Sequence, residues 1–231
     1  METRNKKTHA RTLSCGMICA KLILPVALVT PALTAFQWFS EAGRANKLAD
    51  GVKGLNVVEK PRPKELVKVY SIVKSHRADI DDSEAWKVSE VIVDESLKRG
   101  LDPMLVLALI EIESRFQTSM ISPVGARGIM QIMPATGRFL MNAVGRELGI
   151  HSVAYRPESL DDPIINIRMG VYYLHGLRKQ FRNLNLALIA YNAGPADLQS
   201  RLENNQEISQ EFATLVFDAY TRYTNRKAPT F

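Results

Sequence analysis

The sequence predicts an all-α protein, and three observations support that fold class. Beyond residue 63, apolar residues recur at the spacing of an amphipathic helix in one segment after another. The pair aspartate-proline, which caps and opens a helix, occurs at Asp102-Pro103 and again at Asp162-Pro163. No segment of useful length alternates between apolar and polar residues as a half-buried strand would. We therefore expect helices of mixed length around a single core.

The predicted helices have recognisable first and last residues. Asp82 or Ser83 is the expected cap of the second helix, which Gly100 ends. Pro134 opens the fourth helix and Gly149 ends it, whereas Asn192 and Gly194-Pro195 end the sixth. The predicted ranges are 64 to 76, 82 or 83 to 99, 103 to 114, 134 to about 148, 163 to 181, 184 to 191 and 208 to 223.

The basic charge is concentrated at the N-terminus. The chain has 231 residues and a net charge of +6, and residues 1 to 35, with five basic residues and one acid, carry +4 of it. The nearly neutral remainder gives no indication of a nucleic-acid-binding surface, so no nucleic-acid partner is expected. The length allows one good-sized domain with extensions.

Residues 22 to 36 form an apolar run behind that charge, which is typical of an export signal. The run is short for a membrane span, which needs roughly 20 residues. A cleaved signal and an uncleaved anchor over residues 15 to 36 both remain open. Cys15 and Cys19 lie in this segment, so a cleaved product would contain no thiol. The expected organisation is a signal or anchor over 1 to 36, a linker over 37 to 63 and a folded domain over 64 to 231.

Two acids, Glu111 and Glu113, stand at the end of a helix that is apolar nearly all round. Residues two apart point to roughly opposite sides of a helix, so the two acids do not form a carboxylate pair. Glu113 shares a face with Leu109 and Ile110, where desolvation would raise its pKa. An acid that stays protonated near neutral pH is what cleavage of a glycosidic bond requires.

The residues alone do not choose between these acids. Either of them could instead satisfy loop amides or pair with an arginine such as Arg115 or Arg127. No second acid stands out at the spacing that the usual two-carboxylate glycosidase needs, although Asp161, Asp162 and Asp197 follow later in the chain.

Three ordered sequence blocks resemble the soluble lytic transglycosylase family, and the resemblance covers about residues 85 to 200. The first block is an E-S dipeptide followed by an aromatic residue, the second is S-P-x-G-A-x-G-I-M-Q-I-M-P, and the third is A-Y-N-A-G-P. They correspond to Glu113-Ser114 with Phe116, to residues 122 to 134, and to residues 190 to 195, with Asp162-Pro163, Asn166, Gly170 and Tyr173-Leu174 between the last two.

The resemblance implies a lysozyme-like fold of the lytic transglycosylase type and a function. Glu113 would be the catalytic acid that cleaves the bond between N-acetylmuramic acid and N-acetylglucosamine in peptidoglycan, and would then act as base. A 1,6-anhydro-muramic acid end would form, because the sugar's own C6 hydroxyl replaces water. The substrate-binding residues would be Ser114, Met130, Gln131, Tyr191 and Asn192.

Several of these motifs also have a purely structural interpretation. Gly125 and Gly128 would let the backbone approach a ligand, or would simply form a turn. Tyr191 and Asn192 would face Glu113 across a cleft, or would serve as a core residue and a helix C-cap. Ser114 lacks the His-Asp pair that would make it a nucleophile.

No metal or cofactor is expected, because His9, His76, His151 and His175 have no ligand-like spacing. The chain departs from the family near its end, where Phe212 stands in place of a usual tyrosine. Two alternatives remain open: a goose-type lysozyme-like hydrolase that uses water, and a weakly catalytic glycan-binding protein. The expected location is periplasmic, with peptidoglycan strands as partner and a wall-spanning secretion or division machine as a further candidate.

Overall fold

The computed structural model describes residues 63 to 150 and 154 to 225. Within these ranges the chain is helical, and its few β-type contacts are isolated bridges at Ile121–Arg127 and Arg127–Ile132. The elements are α1 Pro63–His76, α2 Asp82–Lys98, α3 Pro103–Ser114, α4 Pro134–Val144, a 3-10 helix Pro157–Asp161, α5 Pro163–Phe181, α6 Leu184–Ala193, α7 Pro195–Glu203 and α8 Glu211–Asn225. The predicted all-α class is confirmed.

The predicted export signal lies outside the described residues, and so does the predicted linker except for its last residue, Pro63, which begins α1. None of the helices in the described ranges combines the length and the apolar character that a membrane crossing requires.

Helix α3 lies at the centre of the fold. Every side chain from Leu107 to Ile110 is fully buried, as the all-round apolar pattern predicted. Helix α8 packs along α3, α1 and α2 pair with each other, and α5 packs on both α2 and α6. Because α3 is held in the core, its C-terminal end, which carries Glu113, has a fixed position.

Helix α8 also contacts α3 through two polar side chains. The Tyr220 hydroxyl donates a hydrogen bond of 2.7 Å to Asp102, whose other carboxylate oxygen caps α3 by accepting from the Met104 N–H at 2.8 Å. Arg222 forms an ion pair of 2.9 Å with Glu111, in the last turn of α3. The terminal helix thus holds both ends of the helix that carries Glu113.

The predicted helix caps are confirmed at both aspartate-proline pairs, and several boundaries differ. Asp162 accepts hydrogen bonds from the N–H groups of Ile164 and Ile165. The cap of α2 is Asp81, one residue before the predicted pair, because its carboxylate accepts from the Glu84 N–H. Helix α4 ends at Val144, earlier than predicted, and the chain continues in turns that close at Gly149.

Helix α7 was not predicted. Gly194-Pro195 was interpreted as the end of a helix, and Gly194 does cap α6, with φ of +91°. Pro195 then opens α7 at once, since a missing N–H is tolerated in the first helical turn. Helix α8 accordingly begins at Glu211, later than the predicted start at residue 208.

The long loop between α3 and α4 is attached to α5 by a single buried amide, that of Asn166. Its Oδ1 accepts a hydrogen bond of 2.7 Å from the Met130 N–H. Its Nδ2 donates to the carbonyl oxygens of Arg127 and Leu160, at 2.9 and 2.8 Å. Gly128 lies directly against this amide, because a Cβ there would be 2.2 Å from both Asn166 Nδ2 and Leu160 O. In this structure Gly128 therefore lets the loop backbone approach the side chain of Asn166.

We expect Gly128→Ala to destabilise the protein by about 2 kcal/mol more than Gly125→Ala. Both glycines have a positive φ, of +79° and +86°, so alanine is strained at either position. Only at Gly128 does the added methyl group also overlap Asn166, whereas nothing lies within 4 Å of a Cβ at Gly125. Urea unfolding of the two variants measures the difference. An equal loss of unfolding free energy in the two variants would show that overlap with Asn166 does not add to the destabilisation by Gly128→Ala.

Candidate active site

Glu113 lies at the C-terminal end of α3 and is half-buried. Burial among apolar neighbours raises its pKa from 4.5 to about 8, because the charged form loses hydration. No hydrogen bond or ion pair within the described ranges compensates that loss. Glu113 is therefore a carboxylic acid that is largely protonated at neutral pH and free to donate its proton.

Glu111 has a different environment, although it is only two residues away. Its Oε1 lies 2.9 Å from Arg222 NH2 on α8. Glu111 thus pairs with an arginine, one of the structural roles that the sequence left open. That arginine is Arg222, since Arg127 pairs with Asp161 at 2.6 Å. The structure therefore distinguishes an ion-paired carboxylate from an uncompensated acid.

Ser114 is buried, and its hydroxyl donates a hydrogen bond of 2.6 Å to the Ile129 carbonyl. This bond joins the end of α3 to the loop that follows, directly beside Glu113. The predicted contact of Ser114 with a substrate acetamido group stays a prediction. In the structure its hydroxyl positions the loop.

Met130 and Gln131 belong to the same loop. The Met130 side chain is fully buried and packs on Gly170, where a Cβ would lie 2.5 Å from the sulfur. Gln131 has φ of 49°, and its Nε2 donates to the carbonyl oxygens of Met120 and Gly128 at 3.0 and 2.8 Å. Contact of these side chains with a sugar stays a prediction, and for Met130 it requires a movement of the loop.

Tyr191 connects α6 to that loop and lies beside Glu113. Its hydroxyl donates a hydrogen bond of 2.8 Å to the Met130 carbonyl, and its ring centroid is 5.4 Å from that of Tyr173. Burial, with a further contribution from the charge of Glu113, raises the pKa of Tyr191 well above its ordinary value. Tyr191 is thus both a core residue and a neighbour of the acid.

Asn192 is exposed and lies within α6, one residue before its last residue. The alternative in which it caps the helix is wrong, because Gly194 occupies the cap and its N–H bonds to the Ala190 carbonyl. A cavity of about 380 Å³ begins at Asn192 and extends between α6, α7 and α8. Its lining includes Ile189, Leu198, Phe212 and the ion pair of Asp197 with Arg201.

The other candidate acids have structural partners. Asp161 binds Arg127 through two hydrogen bonds, Asp162 caps α5, and Asp197 lies 2.7 Å from Arg201. None of the three is left uncompensated as Glu113 is. Across residues 63 to 150 and 154 to 225, no three His, Cys, Asp or Glu side chains form a group that could hold a metal ion.

The residue that sequence reasoning undervalued is Asn166, which entered only as part of the resemblance. It is fully buried, and its side-chain hydrogen bonds are to the loop and the 3-10 helix. A signal was available in the sequence. Asn166 is a polar residue on the apolar face of α5, four positions before Gly170, and such a residue must find buried partners.

The chain is similar in sequence to known lytic murein transglycosylases. Over 141 residues the chain is 33% identical to the soluble lytic murein transglycosylase of Escherichia coli K12. The aligned region covers 54% of this chain and 21% of that protein. Over 195 residues it is 27% identical to membrane-bound lytic murein transglycosylase C of Cronobacter sakazakii, or 80% of this chain and 52% of that protein. The chain therefore spans between about a fifth and half of these relatives.

The crystal structure of the 70 kDa soluble lytic transglycosylase of Escherichia coli aligns with a TM-score of 0.51 at 23% identity, covering 88% of this chain and 37% of that chain. This likeness confirms the predicted fold of the lytic transglycosylase type.

The family model described as the transglycosylase SLT domain matches residues 90 to 212, more than half of the chain. The protein thus belongs to the transglycosylase SLT domain family, and its relatives are the soluble and membrane-bound lytic murein transglycosylases.

Proposed function

We propose that this protein is a peptidoglycan lytic transglycosylase that uses Glu113 as its catalytic acid and base. The bond cleaved is the β-1,4 bond between N-acetylmuramic acid and N-acetylglucosamine, and the product carries a 1,6-anhydro-muramic acid end. The observation that carries this proposal is the uncompensated carboxyl of Glu113, whose pKa burial raises to about 8. Membership of the SLT family provides the substrate class.

The reaction requires one carboxyl group to act twice. Protonated Glu113 donates its proton to the glycosidic oxygen, and the bond from that oxygen to C1 of the muramic acid breaks. The resulting carboxylate removes the proton of the C6 hydroxyl on the same sugar. The C6 oxygen then bonds to C1, so Glu113 ends the cycle protonated and no water is consumed.

The surroundings of Glu113 suit this sequence of proton transfers. A pKa near the operating pH favours both donation and return of the proton. Ser114 and Tyr191 lie beside the acid but direct their hydroxyls to the carbonyls of Ile129 and Met130. These hydroxyls therefore do not stabilise the Glu113 carboxylate, and the acid stays protonated.

The cavity that begins at Asn192 would extend the binding cleft for the glycan strand. Its volume of about 380 Å³ lies within the range of ligand pockets, and apolar side chains with a few polar groups line it. Phe212 contributes to its wall. A phenylalanine there offers an apolar surface to a sugar ring but no hydroxyl for a hydrogen bond.

The proposed location is the periplasm. The N-terminal segment would either direct export and be cleaved, or remain as an anchor in the inner membrane. A wall-spanning secretion or division machine is a candidate partner.

The hydrolase alternative uses the same acid but places water where the C6 hydroxyl reacts, so its product has a reducing end. The glycan-binding alternative predicts no cleavage.

We expect the full-length protein to release anhydro-muropeptides from purified peptidoglycan, and Glu113→Gln to lower the rate by at least about 100-fold. Glutamine keeps the shape of the side chain but cannot transfer the proton. Mass spectrometry of the soluble products distinguishes an anhydro end from a reducing end by the mass of one water molecule.

Glu111→Gln is the matched control, because the same chemical change is made two residues away in an ion-paired carboxylate. It should leave the type of product unchanged. Reducing ends from the wild type would favour the hydrolase, and absence of products together with retained glycan binding would favour the binding protein.

The rate should fall as pH rises through about 8, the pKa to which burial raises Glu113. Above that pH the acid loses the proton that it must donate. Tyr191 keeps its proton throughout this range, because burial raises its pKa well above the usual value. Initial rates of anhydro-product release between pH 5 and 10 measure the alkaline limb. A fall of the rate near pH 4.5, the ordinary pKa of a glutamate, would contradict the proposal that Glu113 is protonated at neutral pH.

Glu113→Gln should also stabilise the fold at alkaline pH. In the unfolded chain Glu113 loses its proton near 4.5, and in the native state near 8, so the native state binds more protons between these values. Wild-type stability then falls with rising pH by up to about 1.4 kcal/mol per pH unit, whereas glutamine does not titrate. Urea unfolding at pH 4, 6 and 8 measures the growing difference. A constant difference would refute the raised pKa.

A further inference from the structure

The turn that follows Glu113 and Ser114 has an unfavourable backbone conformation. Arg115 and Phe116 are consecutive non-glycine residues with φ of 52° and 65°. Each left-handed residue of this kind costs roughly 1 kcal/mol or more. Surrounding contacts must therefore hold the turn in this conformation, and with it the end of α3.

The contacts that hold the turn come from the end of α1. The fully buried ring of Phe116 stacks on the His76 ring, with centroids 4.4 Å apart and an interplanar angle of 19°. The Phe116 carbonyl accepts a hydrogen bond of 2.9 Å from Arg77 NH1. Both the side chain and the backbone of Phe116 are thus held by consecutive residues of another segment.

His76 and Arg77 are themselves fixed in place. His76 Nε2 and the Tyr223 hydroxyl of α8 are 2.8 Å apart in a hydrogen bond. Arg77 binds both carboxylate oxygens of Asp79, at 2.7 and 2.8 Å. Because the supporting side chains have their own partners, little conformational freedom remains for the turn.

We propose that His76 and Arg77 are positioning residues for Glu113. They hold the backbone at Phe116, three residues after the acid, while the hydrogen bond from Ser114 to Ile129 holds the residue next to the acid. Both residues precede the segment 90 to 212 that matches the family, so α1 contributes to the site from outside that segment. The catalytic consequence of this inference rests on the proposed function.

The test compares Arg77→Ala and His76→Ala with Lys74→Ala in the full chain. Lys74 is a matched control because it also donates to a backbone carbonyl, that of Ile80 at 2.8 Å, and also pairs with an aspartate, Asp82 at 3.0 Å. Its contacts support the connection from α1 to α2 and do not involve the turn after Glu113. Urea unfolding verifies that each variant is folded.

We expect Arg77→Ala and His76→Ala to lower kcat by about tenfold, since a small misplacement of a catalytic group has effects of this size or larger. KM should change by less than about twofold, because the groups that bind the glycan are untouched. The alkaline limb of the pH profile should move to lower pH as Glu113 gains access to water. Arg77→Lys should recover part of kcat, and Lys74→Ala should leave kcat and the pH profile unchanged.

A second measurement does not depend on activity. NMR titration of ¹³C-labelled glutamate carboxyls, with Glu113 assigned from the signal missing in Glu113→Gln, follows the acid directly. A lower Glu113 titration midpoint in Arg77→Ala but not in Lys74→Ala supports the inference. An unchanged midpoint, or kcat equal to that of Lys74→Ala, overturns it. If the wild type releases no anhydro product, the proposed function fails, and the titration still decides the positioning role.

Discussion

The conformation of the loop between α3 and α4 depends on the side-chain amide of Asn166. Its three hydrogen bonds attach the backbone at Met130, Arg127 and Leu160 to one point on α5. The carbonyl of Met130 is in turn held by Tyr191, which lies beside Glu113. A buried amide that lost one of these partners would leave an unsatisfied polar group in the core, so the arrangement is maintained as a unit.

Glu113, the proposed catalytic acid, differs from the other candidate acids because it has no charged or hydrogen-bonding partner among the described residues. Every other acid that the sequence put forward has a cation or a helix N-terminus as partner, whereas Glu113 has burial alone. Burial without a partner is unfavourable for a carboxylate, and the protein tolerates this cost at Glu113. Such an arrangement is expected where the protonated form is needed for chemistry.

Sequence reasoning predicted the helices well where local physics decides the outcome. The aspartate-proline caps and the all-round apolar pattern of α3 act within a few residues, so both were correct. Helix α7 was missed because Gly194-Pro195 can end one helix and begin another. The partners of Glu111 and Phe116, namely Arg222 and His76 with Arg77, could not be predicted, because no local pattern indicates which distant segments meet.

The two polar contacts between α3 and α8 have a consequence for biosynthesis. Tyr220 and Asp102 are 118 positions apart, and Arg222 and Glu111 are 111 apart. The central helix therefore completes its burial only after α8 has been made, and non-local contacts of this kind slow folding. A nascent chain that still lacks α8 has no assembled environment for Glu113. The catalytic role that we propose for Glu113 would then be possible only after α8 has been made.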